Sequence, residues 1–158
     1  PHIDPPAETD AYYLLASPGG VNALQDVDKW LPPGKPLLIS ATPDGMTLPL
    51  FQQACADTSR PVICVDPSPP TTQGEAQNLA RIAQEQGWHS VTVITHRSHI
   101  TRSRMLMERC FGGEVRMDVR DVEHGKWTWL RALVYESGAV VKAWATPRCA
   151  GSLPANKG

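Results

Sequence analysis

Thr72, Glu75, His99 and Arg102 are residue types that handle protons and anions, and they fall in two short clusters, T-T-Q-G-E-A at 71–76 and T-H-R-S-H-I-T-R-S-R at 95–104. From Arg97 to Arg109 the second stretch carries four arginines against one acid, Glu108. An arginine fork grips phosphate or carboxylate oxygens in pairs. An imidazole gives or takes a proton near neutral pH, and a carboxylate beside it can orient it or act as a base. Ser98 reads as an N-cap, which would set His99 and Arg102 in the first helical turn, where side-chain cations and free backbone N–H groups converge. Cations there oppose the helix dipole unless an anion neutralises them. The pattern therefore points to a bound phosphate or carboxylate, against a plainer reading as an arginine-rich solvated helix to which Arg104 and Arg109 would belong. His96 and His99 stand among arginines with no carboxylate cluster to offset a divalent charge, which argues against zinc. His96 also fits a structural histidine closing a strand.

Thr72-x-x-Glu75 has the spacing of a capping box, in which the hydroxyl covers a helix-end N–H and the carboxylate reaches back to the cap. On a shared sheet edge the same residues, with Thr71, would lie beside His99 and Arg102. A third segment, Ser17-Pro18-Gly19-Gly20, permits close backbone approach to a ligand. It is neither a G-x-G-x-x-G nor a Walker sequence, and no G-x-S-x-G elbow occurs, so dinucleotide, ATP and the usual serine-hydrolase chemistries lose support.

These loops need a frame, and the hydrophobic pattern supplies one. Apolar runs at 11–16, 36–41, 61–65, 90–95 and 115–119 read as strands, four of them nearly continuous in apolar residues. Such strands are buried on both faces, which predicts a parallel sheet with helices on each side. Helices are expected at about 21–30, 47–57, 73–86, 99–110 and 127–144. Right-handed crossovers make this an α/β, Rossmann-like three-layer sandwich with a mainly parallel five-stranded sheet. Ligands in such sheets sit outside the carboxyl ends of the strands, where helix N-termini point inward. In the last helix Trp127, Leu130, Val134, Val141 and Trp144 recur at helical spacing and read as a packing face.

The chain has 158 residues, 15 Lys+Arg, 16 Asp+Glu and a net charge of -1. That is enough for one domain with its own core. The balanced charge argues against nucleic acid as partner, and no run has the ~18 apolar residues of a membrane-spanning helix. The domain is expected over 11–145, with a flexible segment at 1–10 and a tail at 146–158. Starting at Pro1, without a charged or apolar leader, it reads as a processed or trimmed polypeptide. Cys55, Cys64, Cys110 and Cys149 lack C-x-x-C spacing. They are either buried thiols of a cytosolic protein or two disulfides of an exported one. Cys55 ends a helical stretch just before the strand of Cys64, and Cys149 could pin the tail to Cys110. These two sensible placements favour bridges.

The two signatures, T-T-Q-G-E-A at 71–76 and V-I-T-H-R-S-H-I-T-R-S-R at 93–104, resemble those of the YdcF-like family, the ElyC/SanA/YdcF group of domains. The family pattern is a Thr-x-x-Glu-Ala helix start, then a strand ending in V-T-x-x-x-H-x-x-R-A. Thr72, Glu75, His99 and Arg102 fall on its Thr, acid, His and Arg, and the resemblance runs from about Tyr12 to Trp144. Cys55 and the C-V-D-P-S-P-P-T-T stretch look like actinobacterial members. Two departures stand out: Asn22 and Ala23 follow Gly19-Gly20 where the family often has an Arg, and Ser103 replaces an Ala. The resemblance implies envelope biogenesis, with links to peptidoglycan and its lipid carrier. It also implies a membrane anchor through an N-terminal helix outside this chain, with the domain on the extracytoplasmic face.

The expected function is thus binding, and hydrolysis or transfer, of a phosphate-bearing envelope intermediate. Arg102 would hold the anion, His99 donate a proton and Glu75 orient them or act as base. Ser17, Gly19, Gly20, Thr71, Thr72, His96, Ser98 and Arg104 would complete the anion site, with no metal and no cofactor. Rival expectations are a non-catalytic envelope factor acting through protein partners and a nucleotide- or S-adenosylmethionine-binding domain.

Overall fold

The apolar runs form one all-parallel sheet from β1 (Ala11–Leu14), β2 (Leu37–Ser40), β3 (Val62–Val65), β4 (Ser90–Thr95) and β5 (Glu114–Val119), in the order β3-β2-β1-β4-β5. This computed structural model describes residues 2–17, 19–120, 126–145 and 149, the side chains of 126–129, 143 and 145 lying outside that description. The helices are α1 (Gly20–Gln25), α2 (Val27–Trp30), α3 (Pro49–Ala56), α4 (Thr72–Gln86), α5 (Ile100–Cys110) and α6 (Lys126–Ala145). The architecture is α/β and Rossmann-like.

Strand alternation splits the core in two. Tyr13, Leu38, Val91, Val93 and Met117 face Leu79, Ile82, Ile100 and Met107 of α4 and α5. On the other face Tyr12, Leu14, Leu37, Ile39 and Ile94 pack with Leu24, Leu31 and Phe51 of the first helices and their connections. Every residue of β1 and β2 is buried, as continuous apolar strands of a covered parallel sheet must be. β3, an edge strand, is only half-buried despite the same composition. Register pairs Tyr13 with Leu38 and with Val93, so β1 and β4 run side by side where the winding reverses.

Three expectations change. The helix at 21–30 is two short helices, because Asp26 leaves helical geometry (φ -101°, ψ 17°). The segment expected to be flexible makes defined hydrogen bonds to the sheet through Asp4 and Thr9. The Asp4 N–H donates to the Met117 carbonyl (3.2 Å), the Asp4 carboxylate accepts from the Met117 N–H (2.8 Å), and Thr9 and Thr92 share a hydroxyl hydrogen bond. The apolar stripe of α6 is not a packing face: Leu130, Val134, Val141 and Trp144 are 46–75% exposed. Trp127 belongs to the side chains not described. The cause is placement, since α6 leans on α5 and on the turn at Arg97–His99 and turns Glu136, Ala132, Ala139 and Val140 inward.

Both cysteine pairs are bridged. Cys55–Cys64 joins the end of α3 to β3 (Cα–Cα 5.9 Å), and Cys110–Cys149 ties the last residue of α5 to the chain beyond α6 (5.0 Å). The remainder of the expected tail, 146–148 and 150–158, lies outside the described residues. No helix among the described residues is long and apolar enough to cross a membrane.

The second bridge closes a loop of 39 residues that contains α6, a helix whose outer face is exposed. Chain-entropy arithmetic gives about 4 kcal/mol for a loop of that length. Cys149→Ser is expected to lower the melting temperature and to speed hydrogen exchange in α6 more than in α4. Equal exchange rates in α6 with and without the bridge would show that side-chain packing alone holds the helix.

Candidate active site

The crevice between β1 and β4, at their carboxyl ends, is where an open parallel sheet receives ligands. A cavity of about 240 Å³ lies there, lined among others by Ala16, Thr72, Glu75, His99, Arg102 and Tyr135. Thr72 and Glu75, three residues apart on α4, share a helix face. His99 ends a short 3-10 turn after β4 and directly precedes α5, and Arg102 follows one turn on.

The helix start differs from a capping box. Thr71 is the N-cap, its hydroxyl accepting from the Gly74 N–H (3.2 Å). Thr72 is already inside the helix, and its hydroxyl meets His99 Nε2 at 2.9 Å. Glu75 does not reach back; its Oε1 accepts from the Ala16 N–H at 2.7 Å, tying α4 to the end of β1. Tyr13 adds a second tie, its hydroxyl donating to the Glu75 carbonyl (2.9 Å). A Cβ on Gly74 would collide with the Pro69 carbonyl, so only glycine lets the approach loop lie against this helix.

Glu136 is the residue that sequence reasoning missed. Its carboxylate, buried at the middle of α6, lies 3.1 Å from His99 Nδ1 and 3.2 Å from Arg102 Nε. Its signal was faint: it is the sole acid between Lys126 and Ala145. Arg102 Nη2 stands 2.8 and 3.4 Å from the two ring nitrogens of His99. Such similar distances place it over the ring face, since each nitrogen's lone pair or proton points outward in the ring plane. His96 stacks on His99, ring centroids 5.1 Å apart and planes 11° from parallel. The two in-plane partners of His99 are therefore Glu136 and Thr72.

The two acids are driven in opposite directions. Burial raises Glu75 to about 7, the Ala16 N–H, the Ser40 hydroxyl and Arg102 only partly opposing it. Burial also pushes Glu136 upward, but the His99 hydrogen bond and the charges of His99, Arg102 and His96 together outweigh it and leave the carboxyl below its usual value. One acid is poised to exchange a proton near neutrality while the other stays ionised.

Of the expected site residues, the cavity gathers Glu75, His99, Arg102, Thr71 and Thr72, with His96 stacked behind. Arg104 is elsewhere: it bonds Asp4 (2.7 Å) and the His2 carbonyl (2.9 Å), because two residues along a helix reverse the direction of a side chain. Ser98 lies within the 3-10 turn, and no side chain caps α5. The first loop lines the cavity through Ala16, not through Ser17, Gly19 or Gly20. A Cβ on Gly19 would strike the Arg120 carbonyl, so the missing side chain serves chain packing. Pro18 is outside the described residues. Among the described residues no three His, Cys, Asp or Glu side chains cluster as a metal site requires.

An acid raised from 4.5 to about 7 by folding penalises its ionised form. The native state then holds more protons than the unfolded chain between those values, so its share of stability is present below about pH 4.5 and falls as pH rises to 7. The loss is about 3 kcal/mol at 1.36 kcal/mol per unit. Glu75→Gln, which can still accept from Ala16, should abolish that part of the pH dependence in urea unfolding. An identical slope in wild type and variant would show that Glu75 titrates normally.

Comparison of the chain with protein-family models, with curated proteins and with solved structures finds no match.

Proposed function

We propose that this chain is the extracytoplasmic domain of a cell-envelope protein that binds the phosphate of an envelope intermediate in the β1/β4 crevice and hydrolyses or transfers it. The observation that carries the reading is the convergence of Arg102, His99 and a near-neutral Glu75 on one cavity. A phosphate bears ≈ -1.5 to -2 charge at pH 7. Arginine and an imidazole favour it there, while an ionised carboxylate would repel it. Glu75 escapes that conflict by taking a proton, and a bound anion would hold the proton in place. The same proton is then available to a departing oxygen.

A second, open groove of about 570 Å³ continues from the cavity, sharing Thr72, Arg102 and Tyr135 and extending over Leu106, Val134 and Ala139 to Lys142. Its apolar lining suits the remainder of an ester whose phosphate occupies the cavity, as a lipid-linked intermediate would require. Bridged cysteines accord with an oxidising compartment, and the motif resemblance accords with the envelope.

Calorimetry with inorganic phosphate, sulfate and dodecyl phosphate tests this. Phosphate should bind, and Arg102→Ala, with its melting transition checked, should weaken it on the order of 100-fold, the worth of a strong charge-assisted contact. Sulfate keeps its charge across this range, so its affinity should drop as pH rises through 7, less steeply in Glu75→Gln. Dodecyl phosphate should bind at least about tenfold tighter than phosphate through its buried chain. Wild-type affinity for all three anions in Arg102→Ala would place anion binding elsewhere.

A further inference from the structure

Thr72, His99 and Glu136 stand in a line of two hydrogen bonds, 2.9 Å from hydroxyl to Nε2 and 3.1 Å from Nδ1 to carboxylate. All three residues are buried, with 6 or 7% exposure. The protons along this line are fixed by what each group can do. Glu136, ionised beside Arg102, can only accept, so Nδ1 must carry the proton between them. In the neutral imidazole Nε2 is then bare and must accept from the Thr72 hydroxyl. Arg102 sits over the ring face and its Nε forms an ion pair with the second Glu136 oxygen (3.2 Å) without a hydrogen bond between them, so it braces the pair by charge without occupying either in-plane position. A hydroxyl bonded to a bare imidazole nitrogen, itself oriented by a buried carboxylate, is the arrangement that turns an alcohol into a nucleophile.

We infer that Thr72 is a covalent nucleophile, activated by His99 and Glu136, which accepts the phosphoryl group of the substrate. This rests on the phosphate-ester reading of the cavity. Thr72 Oγ1 bonds to phosphorus as its proton passes to His99 Nε2, and the bond from phosphorus to the leaving oxygen breaks. That oxygen takes the proton of Glu75, which faces the same cavity one helical turn along α4. In the second half a water, or the hydroxyl of an acceptor, loses its proton to the Glu75 carboxylate and attacks phosphorus. The Oγ1–phosphorus bond breaks, and Thr72 recovers its proton from His99. The sum is ester plus water to alcohol plus phosphate, or ester plus acceptor alcohol to a new ester. No oxidant, reductant or metal is consumed. Glu136 touches no reacting atom and is a positioning residue.

Two probes separate this inference from the phosphate reading. The purified chain is incubated with p-nitrophenyl phosphate, or separately with a fluorophosphonate, then quenched in acid and mapped by peptide mass spectrometry. The expected adduct is on Thr72. It should persist in Thr72→Ser, vanish in Thr72→Val, and form on the order of 100-fold more slowly in Glu136→Gln. The Glu136→Gln rate should also lose the pH dependence set by the oriented imidazole, which a purely structural role would leave unchanged. Melting curves confirm that each variant is folded. Nitrophenol release without a Thr72 adduct would overturn the nucleophile and leave the phosphate reading standing. A fluorophosphonate adduct on Thr72 in a protein that binds neither phosphate nor p-nitrophenyl phosphate would retain the activated hydroxyl but overturn the phosphoryl step. No Thr72 adduct with either probe would overturn the inference outright.

Discussion

A buried carboxylate must be matched, and the matching of Glu136 joins three parts of this molecule that would otherwise be separate. α6 offers mostly apolar side chains to solvent, yet Glu136 points inward to His99 and Arg102. Removing one partner of a buried pair leaves an uncompensated charge and costs about 3–5 kcal/mol. That penalty ties α6 to the 3-10 turn and to α5. Through His99 the same contact reaches Thr72 and the start of α4. The Cys110–Cys149 bridge holds the far end of α6 from outside, so covalent and polar restraints cooperate on a helix that apolar burial alone would hold poorly.

The site depends on two glutamates with different surroundings. Burial raises Glu75 to about 7, against the partial opposition of the Ala16 N–H, the Ser40 hydroxyl and Arg102. Glu136 has an imidazole and a guanidinium in contact, which outweigh its burial. Pairs of acids driven apart in this way supply proton donor and fixed charge in one pocket. Glu75 is also the link between α4 and β1, so the residue poised to carry a proton helps set the width of the crevice that it faces.

Much of the fold was legible in the chain because sheet burial writes itself into composition. Continuous runs such as PLLISA and SVTVIT read as strands covered on both faces, and each became one. The polar details were less legible because they depend on partners remote in sequence. Thr72-x-x-Glu75 matches a local capping box, but Ala16, 59 residues away, captures the carboxylate, and the cap falls to Thr71. Glu136 lies 37 residues from His99 on a helix whose periodicity drew attention to its apolar side. Arg104 was readable in principle: a turn of 100° per residue separates it from Arg102, so proximity in sequence did not mean proximity in the site. His99, Arg102, Glu75 and Thr72 converged as expected because strand ends and helix starts at the point of reversed winding bring such residues together.

A crystal structure of the protein with orthovanadate, a compact anion that takes the five-coordinate geometry of phosphoryl transfer, tests the account most directly. Vanadium is predicted in the crevice, within bonding reach of Thr72 Oγ1, with Arg102 and Glu75 on its oxygens. Vanadate bound only outside this cavity, or in it with vanadium out of bonding reach of Thr72 Oγ1, would contradict the account.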